Sequence, residues 1–207
     1  MHHIKETGKA MRYDSDHKSE TRQRVLKEAA REIRAKGPGG VAVAGIMARA
    51  GLTHGGFYAH FESKDALIAA AIETMFESAG RRFDAAAAHD DPRAALRAYV
   101  DFYLSPAHRD SREHGCPLPA LSGDLARLDP EARVRFGKGV AGLTGRLSDA
   151  LGRLGVTDAE ADGASMLAEM VGAVTLSRAV ADPAQSDAIL ERARASVIAR
   201  FRLEDLQ

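Results

Sequence analysis

The sequence of 207 residues contains a single cysteine, Cys116. One thiol forms no internal disulfide, so we expect a reducing compartment, the cytoplasm. No apolar run approaches the length of about 18 residues that a membrane span needs, and the first twenty residues hold no signal-peptide stretch. These absences argue against a disulfide-stabilised secreted domain and predict that the protein has no membrane partner.

The chain also lacks net charge, because 29 Lys and Arg balance 29 Asp and Glu. Nonspecific packaging of nucleic acid needs a strongly basic chain, so this balance argues against it. The charge is unevenly distributed, however. Residues 1–66 hold 12 basic against 8 acidic residues, whereas the remainder holds 17 against 21. The first third is therefore basic and the rest acidic.

Strand signals are nearly absent, because β-branched and aromatic residues do not alternate with polar ones for long. Helical stripes and helix-capping residues recur instead, with Ser19, Thr53 and Ser63 as candidate caps. Asp91-Pro92, Asp129-Pro130 and a capping box at residues 157–160 mark the starts of later helices. The sequence predicts an all-α protein of about nine helices, near residues 19–36, 44–50, 53–61, 63–76, 92–105, 117–127, 130–154, 158–181 and 185–202.

Three divisions of the chain follow from this pattern. Residues 1–18 are polar and unpatterned, so we expect a mobile N-terminal arm. Its basic residues either contact DNA or belong to a disordered tail. Residues 19–66 form three short helices, and residues 67–207 form a larger helical domain.

Three short helices followed by a longer one, in a basic segment, are typical of a helix-turn-helix DNA-binding domain. Gly51 provides the permissive turn after the second helix. In the third helix Phe57 and Phe61 are four residues apart and face inward. Outward hydroxyls, ring N–H groups and an ammonium group can then donate to phosphate oxygens, from Thr53, Tyr58, His60 and Lys64.

The segments ETRQRVLKEAA and VAGIMARAGLTHGGFYAHFESKDALI resemble the N-terminal domain of TetR-family transcriptional regulators. The resemblance implies backbone contacts at Thr53, Tyr58, His60 and Lys64, and positions facing base edges at His54, Gly55 and Ala59. Gly56 departs from the pattern, since a Ser or Thr often stands there, and leaves only a backbone contact. The resemblance further implies a homodimeric repressor that binds a palindromic double-stranded DNA operator and is released by a small-molecule effector. It implies no catalytic residue, metal or cofactor.

The larger domain should both dimerise and bind the effector. Small and apolar residues on the last two helices fit the family's dimer interface; alternatively, both helices only close the core of one subunit. Apolar and aromatic residues of the middle helices are candidates for an effector pocket, and an apolar or reactive effector is expected. These candidates are Tyr99, Phe102, Tyr103, Cys116, Leu118, Leu121, Phe136, Val140, Met166 and Met170.

Cys116 lies between Gly115 and Pro117 at a predicted helix start, where a helix dipole would lower the pKa of the thiol. One interpretation is a redox or electrophile sensor, assisted by His114. Another is a thiol that packs as a small hydrophobic group. A Cys-dependent enzyme with His114 as base has less support, because no oxyanion site or orienting third group is present. Metal binding with His108 fits no standard zinc spacing.

Overall fold

The computed structural model describes the backbone of residues 4–204 and the side chains of residues 17–204. No strand occurs in that range, which confirms the all-α prediction. Three short 3₁₀ turns connect nine α-helices. The helices are α1 (Ile4–Lys36), α2 (Val43–Arg49), α3 (Lys64–Ala86), α4 (Pro92–Tyr103), α5 (Pro106–Asp110), α6 (Pro117–Leu121), α7 (Pro130–Arg153), α8 (Ala159–Ala179) and α9 (Pro183–Phe201). The 3₁₀ turns are His54–Ala59, Arg112–His114 and Leu125–Arg127.

Three of the predicted helix caps are confirmed. The Asp91 carboxylate accepts from two backbone N–H groups at the start of α4, and Asp129 accepts from one at the start of α7. The Ser63 hydroxyl accepts from the Ala66 N–H at 3.0 Å. Each cap satisfies an N–H group that has no partner within its helix, and so fixes where the helix begins.

One predicted helix start and two predicted caps were wrong. Helix α1 begins at Ile4, and Ser19 lies inside it. Residues 4–18 contain no proline and many good helix formers, so the helical backbone continues without an apolar stripe. The predicted mobile arm falls partly outside the described residues, and its mobility stays a prediction. Thr53 makes no side-chain cap bond, and neither does Asp158, which precedes α8, so the capping box at residues 157–160 does not define that helix start.

The region between residues 104 and 129 is more broken than predicted. Helix α5 begins at Pro106 after the capping residue Ser105, as α4 and α7 begin at a proline after a capping aspartate. The Ser105 hydroxyl accepts from the His108 N–H at 3.1 Å. The helix expected near residues 117–127 ends at Leu121 and is followed by a 3₁₀ turn. Gly123 lies between the two pieces, and glycine disfavours the helical interior.

Helix α3 connects the two parts of the chain, since it begins beside the third short segment and packs against both α1 and α7. Its contact with α7 is close because Gly139 leaves room for the ring of Phe76, where a Cβ would overlap that ring. Phe76 meets Phe136 edge to face, with 5.2 Å between ring centroids. The small domain and the larger one therefore share a continuous hydrophobic core. Every helix in the described part of the chain is too short or too polar to cross a membrane.

Candidate nucleic-acid interface

The third segment of the N-terminal domain is a 3₁₀ turn, His54–Ala59, and not the α-helix expected from its spacing. Phe57 and Phe61 are 3% and 4% exposed, and their rings stack with centroids 5.7 Å apart. Tyr58 lies between them in sequence and is 72% exposed. Burial of the two phenylalanines thus anchors the segment and turns the tyrosine outward.

The other predicted contact residues lie on the same outward side or at its edge. Thr53, His54, Gly55, Ala59 and Lys64 are exposed. Gly56 and His60 are partly buried. Lys64 is the first residue of α3, where the unpaired N–H groups and the helix dipole favour an anion. The segment therefore presents one short ridge of hydrogen-bond donors.

His60 lies near two cations of α1, Lys18 and Arg22. The pKa of its imidazole is lowered by burial, and then by the charges of Lys18 and Arg22. Its Nδ1 atom is buried without a hydrogen-bond partner among the described residues. Sequence reasoning missed Arg22. The available signal was the pair Lys18 and Arg22, four residues apart, which share one face of a helix.

Neither glycine of the 3₁₀ turn is required by internal packing. A Cβ on Gly55 would meet no atom within 4 Å. On Gly56 it would make ordinary contacts, 3.8 Å from the Met47 side chain and 3.9 Å from Thr53. By contrast, Gly51 has φ +73°, a left-handed conformation that glycine adopts without strain, and it reverses the chain after α2.

The first two helices are held together by charge as well as by apolar packing. Arg49 of α2 forms ion pairs with Glu28 and Glu32 of α1. Ile46 and Met47 are fully buried beneath them. The turn that carries Tyr58 therefore rests on a fixed pair of helices, as a base-reading element requires.

Comparison with known proteins agrees with this geometry. Residues 25–71 match the family model of bacterial regulatory proteins of the tetR family. The N-terminal domain is therefore of the TetR-family type. A sequence comparison with curated proteins finds no match.

Solved structures of TetR-family regulators share the fold along most of this chain. A regulator from Chloroflexus aurantiacus J-10-FL is 28% identical, with a TM-score of 0.76, and the match covers 90% of this chain and 96% of that one. The reduced form of NemR from E. coli is 22% identical, with the same TM-score of 0.76 and coverage of 86% and 95%. A regulator from Cytophaga hutchinsonii is 22% identical, with a TM-score of 0.75 and coverage of 88% and 96%.

Most of the predicted effector-pocket residues lie in the core of the larger domain. Phe102 is 38% exposed and Val140 is partly buried, whereas the other eight are buried. Their side chains contact one another, as with Tyr99 and Tyr103, whose ring centroids are 5.7 Å apart. The structure brings most of these residues together in one packed region, and their role in binding stays a prediction.

Cys116 is 4% exposed and precedes α6, a helix of only five residues. Burial raises the pKa of its thiol, so the expected lowering by a helix dipole was wrong. The imidazole bonded to this segment belongs to His108, whose Nε2 accepts the Cys116 N–H at 3.1 Å. His114 is exposed. The sequence suggests His114 as the histidine next to the thiol. Only folding decides which of the two histidines is buried, and here it is His108.

His108 is held as a neutral imidazole. Its Nδ1 donates to the Tyr103 carbonyl oxygen at 2.7 Å, which leaves Nε2 as the acceptor for Cys116. Burial lowers the pKa of His108 to about 4. The Tyr103 hydroxyl faces the Cys116 thiol. That thiol is the side chain paired with the hydroxyl; because sulfur is a weak acceptor, this buried donor is a candidate contact for a bound ligand.

Proposed function

We propose that this TetR-family regulator is a homodimeric repressor, which binds a palindromic operator and is released by an apolar or reactive small molecule. The observation that carries DNA binding is the exposure of Tyr58 between two buried phenylalanines. A large aromatic residue with a free hydroxyl contributes little to the fold at 72% exposure, whereas it can donate to a phosphate oxygen. DNA binding in turn places the protein in the cytoplasm.

Within the interface we assign phosphate contacts to Thr53, Tyr58, His60 and Lys64. Base edges face His54, Gly55 and Ala59, and the backbone of Gly56 approaches the DNA. Only His54 in the second group has a side chain that can hydrogen-bond, so sequence readout is modest and depends partly on DNA shape.

The proposed dimer uses α8 and α9. One side of α8 is buried in the subunit through Met166, Met170 and Val174. The opposite side is exposed and consists mainly of small residues, with Leu176 as a large apolar residue that is 59% exposed. The small or apolar exposed residues include Ala161, Ala164, Ser165, Ala168, Thr175 and Leu176 on α8, and Ala195, Ser196 and Ala199 on α9; α9 also exposes charged residues, among them Glu191, Arg192 and Arg200. Small residues permit close crossing of helices from two subunits, and two-fold symmetry pairs the DNA-binding surfaces.

The proposed effector site is the packed region that contains Tyr103, Cys116 and the other predicted pocket residues. The buried Tyr103 hydroxyl, whose partner is only the weakly accepting Cys116 thiol, supports it. Because those side chains now fill the site, an effector must displace some of them. Release of DNA then requires that the effector binds the displaced conformation better than the packed one.

Two alternatives concern Cys116. A redox or electrophile sensor needs a reactive thiolate, and both the burial and the raised pKa of this thiol weigh against it. A Cys-dependent enzyme with His114 as base has less support still, since His114 is exposed whereas the thiol is buried. We therefore infer a regulator and not an enzyme. Alkylation that proceeds in the folded protein and abolishes DNA binding would favour the sensor.

The test of DNA binding begins with fragments that the purified protein selects from a random DNA pool. Tyr58→Phe and Lys64→Ala should each weaken binding to the selected fragment, because each removes a phosphate contact. Lys64→Ala should also reduce the dependence of affinity on salt, since it removes a charge. Lys138→Ala, which removes an exposed charge from α7, is the matched control. Failure of the wild-type protein to enrich any fragment would contradict the proposed function.

A further inference from the structure

A cleft of about 350 Å³ lies where the N-terminal domain meets the larger one. Its walls are the C-terminal end of α1, the segment from Arg112 to Asp124, and the C-terminal end of α8. It is separate from the DNA-binding ridge, and it adjoins the packed region around Tyr103, since Arg178 donates to the His108 carbonyl oxygen. Because three separate parts of the chain form its walls, any molecule bound in it contacts both domains at once.

The cleft is lined by four cations and one carboxylate. The cations are Arg34, Lys36, Arg112 and Arg178, and the carboxylate is Asp124. Asp124 is already bonded to Arg127 at 2.9 Å, and Lys36 to Glu32 at 2.8 Å. The three arginines form no ion pair with a carboxylate in the described part of the chain, although the charge of Asp110 acts on Arg112 and Arg178.

Arg34 is held in place by carbonyl oxygens alone. It is 8% exposed, and its terminal nitrogens donate to the carbonyl oxygens of Ala30, Glu113 and Met75, each at 3.4 Å. Its Nε atom is buried with no acceptor among the described groups. Carbonyl oxygens satisfy N–H groups but do not neutralise a cation, so the positive charge of Arg34 stays uncompensated.

Arg178 is oriented in the same way, and Arg112 is not restrained. Arg178 donates to the carbonyl oxygens of Arg109 at 2.9 Å and His108 at 3.3 Å. Arg112 is exposed and makes no side-chain hydrogen bond or ion pair within residues 17–204. A fixed guanidinium beside a free one suits an incoming anion, since the free side chain can close onto it.

Like charges in this region destabilise one another. The pKa of Arg34 is lowered to about 10, first by burial and then by the charge of Arg82. The pKa of Arg178 is lowered by burial and then by Arg112. An anion in the cleft would offset the repulsion among these arginines, and this contributes to its binding.

Operator DNA does not supply that anion. Arg22 lies against the DNA-binding segment, and Arg34 follows it by twelve residues along α1, a separation of about 18 Å at the helical rise. The cleft and the DNA-binding ridge thus lie at opposite ends of residues 17–36, the part of α1 whose side chains are described. The anion must be a molecule small enough for the cleft.

We propose that this cleft binds a small anion carrying phosphate or carboxylate groups, held by Arg112 and Arg178 in the field of Arg34. This binding does not depend on the proposed DNA-binding function. If that function is correct, the anion is a second regulatory ligand, because it fixes the position of α1 relative to α8.

The test titrates the full-length protein with inorganic pyrophosphate and separately with citrate, at constant ionic strength set with sodium chloride. Calorimetry and the thermal unfolding midpoint are measured without DNA. We expect saturable binding of at least one probe, with a midpoint that rises as the site fills. Arg112→Ala should weaken that binding roughly tenfold, the loss expected for one charge-assisted hydrogen bond.

Arg133→Ala is the matched control, because Arg133 is an exposed arginine of α7 that does not line the cleft. It should bind the probe as the wild type does. Arg112 is exposed and makes no internal bond, so its variant should keep the unliganded unfolding midpoint. Equal binding by wild type and Arg112→Ala, or a response that follows ionic strength alone, overturns the proposal. The absence of saturable binding by both probes also overturns it. A changed monomer–dimer equilibrium in Arg112→Ala would then assign the charges to the dimer.

Discussion

The guanidinium of Arg22 lies over the ring of Phe61, with 4.7 Å between Cζ and the ring centroid. Phe61 is buried beside the DNA-binding turn, so this stacking fixes a cation of α1 next to His60. The pair connects the basic character of the N-terminal segment to a particular place on the proposed interface. It adds Arg22 to the candidate phosphate contacts.

Replacing Arg22 with Met should therefore weaken DNA binding. The methionine keeps apolar contact with Phe61 but removes the charge, so the slope of log affinity against log salt should fall by about 0.9. Affinity measured by fluorescence anisotropy at several salt concentrations gives the slope. Lys27→Met removes an exposed charge from another face of α1 and should leave the slope unchanged. Identical slopes in the two variants would remove Arg22 from the interface.

The glycine at position 55 offers a test in which stability and affinity move in opposite directions. A Cβ at this position meets nothing in the free protein. Gly55→Ala should raise the free energy of unfolding by about 0.5 kcal/mol, because alanine restricts the unfolded chain. DNA affinity should fall, since the methyl group keeps the backbone away from the DNA.

Gly39→Ala is the control for that experiment, because a Cβ at Gly39 also meets no atom within 4 Å. It should leave DNA affinity unaltered. Denaturant unfolding and DNA titration together measure both quantities. Unchanged DNA affinity in Gly55→Ala would mean that the backbone does not approach the DNA at this residue.

DNA binding should depend on pH through His60. In the free protein its pKa lies below the usual 6.5, because of burial and the facing charges of Lys18 and Arg22. A phosphate beside the ring favours the imidazolium, so the complex binds more protons than the free protein. Affinity should accordingly rise as pH falls from about 7 and level off below the pKa of the free protein.

The pH dependence is checked by anisotropy in buffers of equal ionic strength. His60→Gln retains a hydrogen-bond donor without a titrating group and should show a smaller pH dependence. His54→Gln is a useful comparison, since His54 is exposed in the same turn. If His60→Gln retains the full wild-type dependence, His60 does not bind a phosphate as proposed.

The dimer is tested at Leu176. Leu176→Glu places a charge on the exposed side of α8, where burial against a second subunit would leave it unpaired. We expect dissociation to monomers in sedimentation experiments, with the helical content retained because the side chain is exposed in the monomer. Val134→Glu is the control, since Val134 is 57% exposed on α7 and lies outside the proposed interface. A dimeric Leu176→Glu protein would contradict the use of this surface.

The sequence by itself determined the helical class, the starts of α4 and α7, and the match of residues 53–64 to a DNA-binding segment. Capping by Asp91 and Asp129 depends only on neighbouring N–H groups, so it can be read locally. The alternation of buried and exposed positions around Phe57 and Phe61 is local as well.

Only the tertiary structure decided which histidine meets Cys116, how its thiol titrates and where the positive charges gather. His108 and His114 have similar local sequence signals, and burial selects His108 because α5 turns it toward Tyr103. Arg34 and Arg178 are remote in the sequence and line one cleft only because α1 and α8 pack against the same short segments. A pKa or a cleft depends on every group within several ångströms, and this set is defined by packing and not by spacing along the chain.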